Sequence, residues 1–450
     1  MKIGLIEACD PDWQFKRFSY PLQLGYLASY LKKYDEGENG SESRIEIIIT
    51  EEIDEIINAQ PDLVGISSYS INYDIAVEFA KKIKNELNVP VILGGCHISA
   101  LPETFKPVFD LAVSGEGEKT FRQVVDLYRK KGKFEKEDLQ KIDGIVFLDG
   151  EEIVKTPPRP TFRFLDRIPH PDRSLYKIRS GHHYISTSRG CPFHCLFCAP
   201  KLMWKTSRYF TTNYVIQEII NIIGLYGTSF TNLSVVDDLF IANKKRLRML
   251  QKWFFETGIS EAIISQANVR ADLIDDEMAE ILSDMNFRTV NFGAESGSDK
   301  ILKYYNKKTT VEDNQRAVDI LYNHGVMAIP SFIIGAPVEA KEDFEATIDF
   351  IEKNHKKLAG FEIFPLIPMP GSQLWEYAKE KGIVNNNIEW ARLEPLLLDF
   401  NPDSYFYMVE EVSKKTFLDY VKRFQELYAK YNPKAMEFRK MLEEMKSQNG

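Results

Sequence analysis

Short apolar segments alternate with amphipathic helical patterns through most of this 450-residue chain. In the first third, the apolar runs have the length of buried strands, and the stretches between them repeat apolar residues about every three to four positions. Parallel strands need a crossover connection, which a helix usually supplies. The alternation therefore predicts an α/β fold with a doubly wound parallel sheet. The predicted strands are Ile3–Ile6, Ile45–Ile49, Leu63–Ser67, Val89–Leu93 and Leu111–Val113.

Small and polar residues follow three of these strands at the point where each strand ends. Ser67-Ser68 ends one strand, Gly94-Gly95 with His97 follows another, and Gly115-Glu116 follows a third. The carboxyl ends of parallel strands meet at one edge of a sheet, where ligands usually bind. Strand-to-helix turns also need glycine, so one such turn alone would carry little weight. Three turns at one edge predict a ligand crevice.

Two proline-rich stretches interrupt the pattern, at residues 156–160 and 168–171. Proline stiffens an extended linker and keeps it out of neighbouring sheets. We therefore expect a linker at residues 151–182, after a first domain at residues 1–150. A second domain at residues 183–385 is then followed by a small helical C-terminal region at residues 386–450.

The second domain contains six further strand candidates separated by helical patterns. Six such units predict a partial (β/α)6 barrel, again with its chemistry at the carboxyl ends of the strands. Thr310 and Asp313 have the spacing of a capping box for a helix near residues 311–324, and Gly325 is its predicted stop. The strand candidates are Tyr184–Thr187, Asn232–Val236, Ala262–Gln266, Thr289–Phe292, Ala328–Ile334 and Phe361–Leu366.

The C-terminal region carries an amphipathic helical pattern. Phe417, Val421, Phe424 and Tyr428 fall on one face of that helix. A second helical stretch is expected at Met436–Met445. We expect this region to pack on the barrel, and contact with a partner protein is the alternative.

Charge and hydropathy exclude several classes of protein. The formal net charge of −9 argues against nucleic-acid binding through a broad basic face. No run of about 18 apolar residues is present, so no membrane span is expected. The first residues have the pattern of a strand followed by the acidic Glu7 and Asp10, which is unlike a targeting segment. A cytoplasmic location is therefore expected.

Three of the five cysteines, Cys191, Cys195 and Cys198, lie within eight residues. An odd number of cysteines with this clustering is typical of a metal site rather than of a disulfide framework. The other two, Cys9 and Cys96, are expected to be small buried thiols near strand ends.

The spacing of the three cysteines suits an iron–sulfur centre with one open iron. Thiolates separated by three and by two residues can hold three irons of a cubane [4Fe-4S] cluster. No fourth cysteine lies nearby, which leaves one iron for the amino and carboxylate groups of an amino-acid-like cofactor. A strongly reducing cluster can then pass an electron into a sulfonium bond. Zinc coordination and metal-free structural thiols are the alternatives, although adjacent His194 and Cys195 make tetrahedral coordination awkward.

The pattern Cys-x-x-x-Cys-x-x-Cys, with Phe197 before its last cysteine, resembles the signature of the radical S-adenosylmethionine (SAM) superfamily. The resemblance implies a [4Fe-4S] cluster held by Cys191, Cys195 and Cys198, and cleavage of SAM. In that family the backbone beside the aromatic residue meets the adenine of SAM, which assigns that contact to Phe197.

Later segments extend the resemblance to other SAM contacts. Asp237 and Asp238 stand where the family often has Gly-Gly-Glu for the methionyl amine, and carboxylates suit an ammonium group equally well. The resemblance also assigns Glu295 to SAM, Arg270 to its carboxylate, and Gly335 to the same cofactor. A helix N-cap for Asp238 and a surface salt bridge for Arg270 are the alternatives.

The N-terminal sheet and the barrel together, about residues 1–385, resemble the cobalamin-dependent class of this superfamily. That class includes methyltransferases and the anaerobic magnesium-protoporphyrin ester cyclase. The Asp-x-His-x-x-Gly motif that supplies a histidine to cobalt is absent, as expected in this branch, and a relict domain without cobalamin is the alternative. The resemblance implies cobalamin contacts by Ser67, Ser68, Gly94, Gly95, His97, Gly115 and Glu116.

The resemblance implies a radical methylation. The reduced cluster cleaves SAM to a 5′-deoxyadenosyl radical, which abstracts hydrogen from an unactivated carbon. Methylcobalamin then supplies the methyl group, and a second SAM remethylates the cobalt. Because the hydrogen leaves as an atom, we nominate no general base. A radical oxidoreductase or cyclase acting on a tetrapyrrole-like ring and a non-enzymatic cluster or corrinoid carrier are the alternatives. The expected partners are a small-molecule or peptide substrate and an external electron donor such as flavodoxin or ferredoxin.

Overall fold

The computed structural model describes residues 1–9, 20–35, 45–176, 181–199, 203–204, 206–394 and 401–432. Two largely parallel sheets with connecting helices make up most of this part of the chain, which confirms the predicted α/β class. The predicted helical stretch Met436–Met445 lies outside the described residues.

Seven strands form the first sheet: β1 (Lys2–Glu7), β2 (Glu46–Thr50), β3 (Leu63–Ser67), β4 (Val91–Gly94), β5 (Leu111–Val113), β6 (Ile145–Asp149) and β7 (Glu152–Lys155). Their order is β2-β1-β3-β4-β5-β6-β7. The first five strands are parallel, as predicted. From β1 the sheet grows to one side with β2 and to the other side with β3, so the strand order changes direction between β1 and β3. Doubly wound sheets bind ligands at such a position.

Two antiparallel strands, β6 and β7, extend the sheet beyond the predicted strands. They form a hairpin whose turn contains Gly150 in the left-handed conformation, with a φ of 63°. An Asp-Gly pair between apolar runs is a hairpin signal, and Asp149-Gly150 supplies it here. Because β7 ends at Lys155, the first sheet continues a few residues into the segment predicted as linker.

Helices cover both faces of the first sheet: α1 (Leu22–Tyr34), α2 (Ile53–Ala59), α3 (Tyr73–Leu87), α4 (Cys96–Ala100), α5 (Gly117–Lys131) and α6 (Lys136–Leu139). Helices α1 and α5 pack on one face, and α2 and α3 pack on the other. Alternate strand residues enter opposite cores, since Ile92 lies in the first and Val91 and Leu93 lie in the second. The doubly wound arrangement is confirmed.

Eight strands belong to the second domain: β8 (His182–Ile185), β9 (Ser188–Arg189), β10 (Arg208–Tyr209), β11 (Asn232–Val235), β12 (Ile264–Val269), β13 (Phe287–Glu295), β14 (Met327–Ile334) and β15 (Glu362–Pro365). Six of them form a parallel sheet in the order β15-β14-β13-β12-β11-β8. Strands β9 and β10 form a separate antiparallel pair. Sequential parallel strands joined by helices are the predicted partial barrel.

Helices cover only one face of the second sheet. In β14, for example, Ala328, Pro330, Phe332 and Ile334 are buried, whereas the alternate residues Ile329, Ser331 and Ile333 are half-exposed. In the described part of the chain, no helix is long and apolar enough to cross a membrane. The helices of this domain are α7 (Thr212–Tyr226), α8 (Lys244–Thr257), α9 (Ile259–Ala262), α10 (Asp276–Asp284), α11 (Asp299–Tyr304), α12 (Val311–Asn323), α13 (Lys341–Asn354) and α14 (Gln373–Glu380).

Helix α12 begins and ends as the sequence predicts. The N–H of Asp313 donates to the hydroxyl of Thr310 (3.1 Å), and the N–H of Thr310 donates to the carboxylate of Asp313 (2.9 Å). Gly325 follows the helix in the left-handed conformation, with a φ of 72°. The predicted capping box and glycine stop are both confirmed.

The C-terminal region packs on the barrel through α15 (Lys414–Tyr431). Phe417, Val421 and Phe424 are buried, and the ring of Tyr420 stacks on that of Phe344 at 4.6 Å. The predicted amphipathic face is therefore a packing face.

One hydrophobic core contains residues of the first domain, of the last part of the second domain and of the C-terminal region. The ring of Trp390 lies edge-on to His97 at 4.6 Å and to Tyr73 at 6.2 Å. Its backbone N–H also donates to the carboxylate of Asp74 at 3.4 Å. These contacts fix how the two sheets face each other.

We expect Phe417→Ala to lower the free energy of unfolding by about 3–5 kcal/mol, because it deletes a fully buried ring and leaves a cavity. Phe255→Ala is the matched control, since that ring is 80% exposed and its loss should change stability by less than about 0.5 kcal/mol. Denaturant unfolding followed by circular dichroism measures both. Equal effects of the two substitutions would contradict the packing of α15.

Candidate functional site

The three clustered cysteines lie in one loop that is closed at its base. We call the described residues between β9 and β10, which are 190–199, 203–204 and 206–207, the cluster loop; β9 and β10 pair at its two ends, with Arg189 opposite Arg208. Cys191 and Cys195 are half-buried and Cys198 is exposed. None of the five cysteines, all of which are in the described residues, forms a disulfide.

Asp237 ties the start of this loop to the barrel. Its carboxylate accepts hydrogen bonds from the N–H groups of Thr187 (2.6 Å) and Ser188 (3.0 Å), and from both of their hydroxyls. The side chain is 1% exposed. Both oxygens are therefore in use inside the protein, and contact between Asp237 and the amine of SAM stays a prediction.

Asp238 points the other way. It is exposed, and one carboxylate oxygen accepts a hydrogen bond from the N–H of Gly190 at 3.0 Å. Burial by the surrounding protein, followed by the charge of Asp237, raises the pKa of this carboxyl group. Leu239, rather than Asp238, precedes the next helical turn, so the N-cap alternative is wrong. Of the two aspartates, Asp238 is the one that a cofactor can reach.

Tyr69 and Cys96 of the first domain lie within electrostatic reach of Cys198 and Asp238 of the second, since their charges shift one another's pKa; we call the space between these four residues the interdomain recess. All four are exposed to water, yet burial among surrounding protein raises the pKa of each. The pKa of Cys96 rises to about 11, with Asp238 as the largest charge contribution. A group that water reaches but protein encloses lies in a concavity rather than on an open surface.

Cys198 lies on the barrel side of this recess. The pKa of its thiol rises to about 12, first by burial and then by the charges of Cys195, Cys191, Asp238 and Glu295. The three thiols therefore lie within electrostatic reach of one another and of Asp238. Cys96 is exposed, so the expectation of a buried thiol there is wrong. Cys9 is buried, as expected.

Glu295 ends β13 in a left-handed conformation, with a φ of 61°. Its carboxylate accepts a hydrogen bond from the ammonium group of Lys307 at 2.6 Å, and both side chains are nearly buried. A Cβ atom at Gly293 would lie 1.9 Å from that carboxylate, so glycine is required there. Strained backbone in an enclosed ion pair is common at functional sites. Direct contact between Glu295 and SAM stays a prediction.

Arg270 supports the cluster loop from beneath. Its guanidinium carbon lies 3.6 Å from the centre of the Phe193 ring, and its Nε lies 2.6 Å from a carboxylate oxygen of Asp272. Another of its N–H groups donates to the carbonyl of Lys307. Arg270 is 5% exposed, so the alternative of a surface salt bridge is wrong, and its contact with the carboxylate of SAM stays a prediction.

Phe197 and Gly335 lie deeper in the site. Phe197 is half-buried and packs edge-on against Tyr305 at 5.2 Å, and the N–H of Leu196 donates to the carbonyl of Tyr305 at 2.9 Å. Gly335 is buried with a φ of 107°, and a Cβ atom there would lie 2.4 Å from the hydroxyl of Tyr405. Gly335 therefore admits the C-terminal region, and contact of either residue with SAM stays a prediction.

The glycines of the first domain lie at the predicted edge. Gly94, Gly95 and Gly115 are all partly exposed. A Cβ atom at Gly95 would lie 2.3 Å from the carbonyl oxygen of Ser68, so the ends of β3 and β4 can approach only because this residue is glycine. Gly115 has a φ of 82° and open space beside its Cα atom. Cobalamin contact by these glycines stays a prediction.

Ser68 and His97 face the protein interior instead. Both are fully buried, and the hydroxyl of Ser68 donates to the carbonyl of Tyr69. The two ring nitrogens of His97 lie 3.2 Å from the Ser70 hydroxyl and 2.9 Å from the Thr104 hydroxyl. Burial lowers the pKa of His97 to about 3, so the ring is neutral. Neither side chain is open to a ligand in this structure, and cobalamin contact by Ser68 and His97 stays a prediction.

Two other predicted cobalamin residues also have different surroundings. Ser67 is 9% exposed and pairs with Glu7 of β1 inside the sheet. Glu116 is buried, and its carboxylate forms ion pairs with Arg189 and Arg208. Cobalamin contact by Ser67 and by Glu116 stays a prediction.

Two residues at the recess are missing from the predicted cofactor contacts. Tyr69 follows Ser67-Ser68 directly, and Cys96 follows Gly94-Gly95 directly. The strand-end signal that identifies their neighbours applies equally to them. The two residues were not predicted as contacts because aromatic and thiol side chains are more often buried than exposed.

Comparisons with known proteins cover both domains. The radical SAM superfamily profile matches residues 185–351, and the B12 binding domain profile matches residues 16–125. An uncharacterised methyltransferase of Pyrococcus horikoshii is 35% identical over 379 residues, which cover 81% of this chain and 79% of that protein. An anaerobic magnesium-protoporphyrin IX monomethyl ester cyclase of Cereibacter sphaeroides is 26% identical over 357 residues, covering 75% and 56%.

A solved structure has the same two-domain fold. The radical SAM methyltransferase TsrM from Kitasatospora setae, with cobalamin and a [4Fe-4S] cluster bound, matches with a TM-score of 0.70 at 17% identity. The match covers 94% of this chain and 90% of that one. It confirms the predicted order of a doubly wound sheet followed by a partial barrel.

Glu339 provides a test of the site's interior. It is fully buried next to Gly335, and one carboxylate oxygen accepts from the N–H groups of Gly335 (2.6 Å) and Ala336 (3.0 Å). The other oxygen has no hydrogen-bond partner among the described residues. Burial raises the pKa of Glu339 from 4.5 to about 8. The folded protein therefore favours the protonated acid.

We expect Glu339→Gln to stabilise the protein at high pH only. Because the folded pKa is raised, the stability that this acid contributes is complete below its unfolded pKa of 4.5 and is lost as the pH rises through about 8. A neutral amide escapes that loss, so the melting temperature of the variant should match wild type near pH 5 and exceed it near pH 9. The exposed Glu380→Gln should follow wild type at both; a constant offset for Glu339→Gln would contradict the shift.

Proposed function

We propose that this chain, which belongs to the radical SAM superfamily and carries a B12 binding domain, is a cobalamin-dependent methyltransferase acting on an unactivated carbon. One observation carries the proposal: the cysteine-bearing loop adjoins the interdomain recess, and ion pairs of Arg189 and Arg208 with Glu116 join the base of this loop to the ligand edge of the first domain. Cys198 and Asp238 lie on one side of that recess, and Cys96 and Tyr69 lie on the other.

The donor set fits an iron–sulfur cluster better than a single ion. Among the described residues, no group of three His, Cys, Asp or Glu side chains lies close enough to hold one metal ion, as zinc would require. In a cubane cluster each thiolate binds a different iron, so the three sulfur atoms need not converge. Burial raises the pKa of Cys191 and Cys198, so binding must displace their protons.

The residues of the recess divide the work of holding the cofactors. When bound, a [4Fe-4S] cluster would supply the electron that splits SAM into a radical, and cobalamin would supply the methyl group. Asp238 has an enclosed carboxylate that no cationic side chain among the described residues stabilises. An ammonium ion would stabilise the charged form of such a carboxylate. Phe197 and the backbone of Leu196, held by Tyr305, would orient the adenine.

The accessible face of the second sheet favours a substrate rich in hydrogen-bonding groups. Its amide side chains form only long contacts with each other: Gln266 to Asn291 at 3.4 Å, and Asn291 to Asn268 at 3.5 Å. Such contacts leave most of the amide donors and acceptors for a ligand. We propose a polar small molecule or peptide as substrate, and a flavodoxin- or ferredoxin-type protein as the electron donor.

Methylation is favoured over ring closure by the comparisons. The methyltransferase of Pyrococcus horikoshii is more similar to this chain than the cyclase and is matched over more of its own length. Cyclisation or oxidation of a tetrapyrrole-like ring remains the second candidate because of the cyclase similarity. The two differ in whether a methyl group leaves SAM.

Anaerobic product analysis tests the proposal. Reconstituted protein with SAM, hydroxocobalamin and titanium(III) citrate should form 5′-deoxyadenosine and also S-adenosylhomocysteine, with labelled methyl reaching the corrinoid. Cys198→Ser should abolish deoxyadenosine, because one iron loses its thiolate. Cys9→Ala is the matched control, since Cys9 is a buried thiol of the first domain, outside the cluster loop. Deoxyadenosine without any methyl transfer would favour the cyclase candidate, and its persistence in Cys198→Ser would refute both.

The two aspartates should separate by phenotype. Asp238→Asn keeps the hydrogen bond to Gly190 but loses the charge, so the Kd of SAM should rise about 10- to 100-fold with iron content unchanged. Asp237→Asn replaces an acceptor of four hydrogen bonds and should lower iron content after reconstitution. Iron analysis and equilibrium dialysis measure both quantities. The reverse pattern would show that Asp237 is the cofactor residue.

A further inference from the structure

Two glutamates of the first domain hold two arginines at the base of the cluster loop. We call these four residues, Glu116, Glu118, Arg189 and Arg208, the clasp. Arg189 lies 3.0 Å from a carboxylate oxygen of Glu116 and 2.5 Å from one of Glu118. Arg208 lies 3.0 Å from the same carboxylate of Glu116. Each contact joins the two domains.

The clasp is buried and electrically balanced. Its side chains are between 3% and 10% exposed, and it contains two positive and two negative groups. The ring of Trp204, from the cluster loop, lies 5.3 Å from the guanidinium of Arg189 and 5.7 Å from that of Arg208. Removal of one charge would leave another uncompensated in a low-dielectric environment, which is strongly unfavourable.

The position of the clasp connects the two candidate cofactor sites. Glu116 comes directly after Gly115, at the ligand edge of the first sheet, and Glu118 lies in the first turn of α5. Arg189 stands two residues before Cys191, and its pairing with Arg208 closes the cluster loop. A displacement of one edge is therefore transmitted to the other through four side chains.

The cluster loop does not need the clasp for its own shape, because the barrel anchors it separately. Asp237 holds Thr187 and Ser188, and Asp238 holds the N–H of Gly190. Further along, Asn306 donates to the carbonyl of His194 at 2.8 Å, and Leu196 is bonded to Tyr305. These contacts lie within the second domain. The clasp adds only the relation between that loop and the first domain.

We propose that Glu116 and Glu118 are positioning residues: through Arg189 and Arg208 they set the placement of the cluster loop relative to the cobalamin edge. Binding at one edge then orders the other, and by linkage the effect is reciprocal. The proposal rests on the proposed function only in its assignment of the two cofactors.

The first test separates two reactions of SAM. Glu118→Gln keeps the shape of the side chain and removes its charge. Methyl transfer from SAM to cobalamin that titanium(III) citrate has reduced to the Co(I) state, which yields S-adenosylhomocysteine and needs both edges aligned, should fall roughly 100-fold, as expected for a misplacement of about 1 Å. Reductive formation of 5′-deoxyadenosine, which needs only the barrel, should stay near the wild-type rate. Lys32→Gln is the matched control, since it breaks the ion pair with Asp172 away from the cluster loop.

The second test needs no turnover. Hydroxocobalamin added to the cluster-free wild-type chain should slow amide hydrogen exchange at residues 186–199 as well as in the first domain. In Glu118→Gln, protection should be confined to the first domain, whereas Lys32→Gln should behave as wild type. If Glu118→Gln loses its native circular dichroism, Arg208→Lys replaces it, because a lysine keeps the charge but cannot reproduce both guanidinium contacts.

Three outcomes decide the matter. The proposal would be overturned if hydroxocobalamin slowed hydrogen exchange at residues 186–199 as much in Glu118→Gln and Arg208→Lys as in the wild-type chain. This would hold even if the wild-type chain transfers methyl groups. Equal loss of methyl transfer and deoxyadenosine would overturn it too, since the clasp would then merely shape the loop. If hydroxocobalamin slows exchange at residues 186–199 of a wild-type chain that makes no deoxyadenosine, the positioning role of the clasp is supported. The proposed function is then refuted instead.

Discussion

Four buried charges hold the two halves of this protein face to face. Glu116 and Glu118 neutralise Arg189 and Arg208 where water is excluded, so the pairing is stringent in geometry as well as in charge. With the aromatic contacts of Trp390, they set the carboxyl ends of one parallel sheet opposite those of the other. The interdomain recess results from this arrangement, since neither domain alone supplies both Cys96 and Cys198.

The recess changes the chemistry of the groups that border it. Water reaches Asp238 and Cys198, yet the enclosing protein weakens the solvation of their charged forms. Enclosed acids and thiols bind cations and metal ions more strongly than the same groups on an open surface, because the partner restores the lost solvation. A cavity of this kind between two strand-end edges suits cofactors that must react with each other and not with water.

Much of the fold follows from local sequence patterns. The five parallel strands of the first sheet, the six of the second and the capping box at Thr310 are all confirmed, since each depends on residues close together in the chain. The hairpin of β6 and β7 was not predicted, because it lies where a proline-rich segment begins. Asp149-Gly150 nevertheless marks its turn. Cysteine spacing likewise identifies the cluster loop without reference to the rest of the chain.

The sequence by itself determined the order of the elements, the family and the loop that carries the three cysteines. Only the tertiary structure decided which member of each motif is exposed: Asp238 rather than Asp237, and Cys96 rather than His97. It also decided that Glu116 pairs with Arg189, 73 residues away. The physical reason is that periodicity and spacing encode local conformation, whereas burial and charge pairing depend on segments that meet only after the chain has folded.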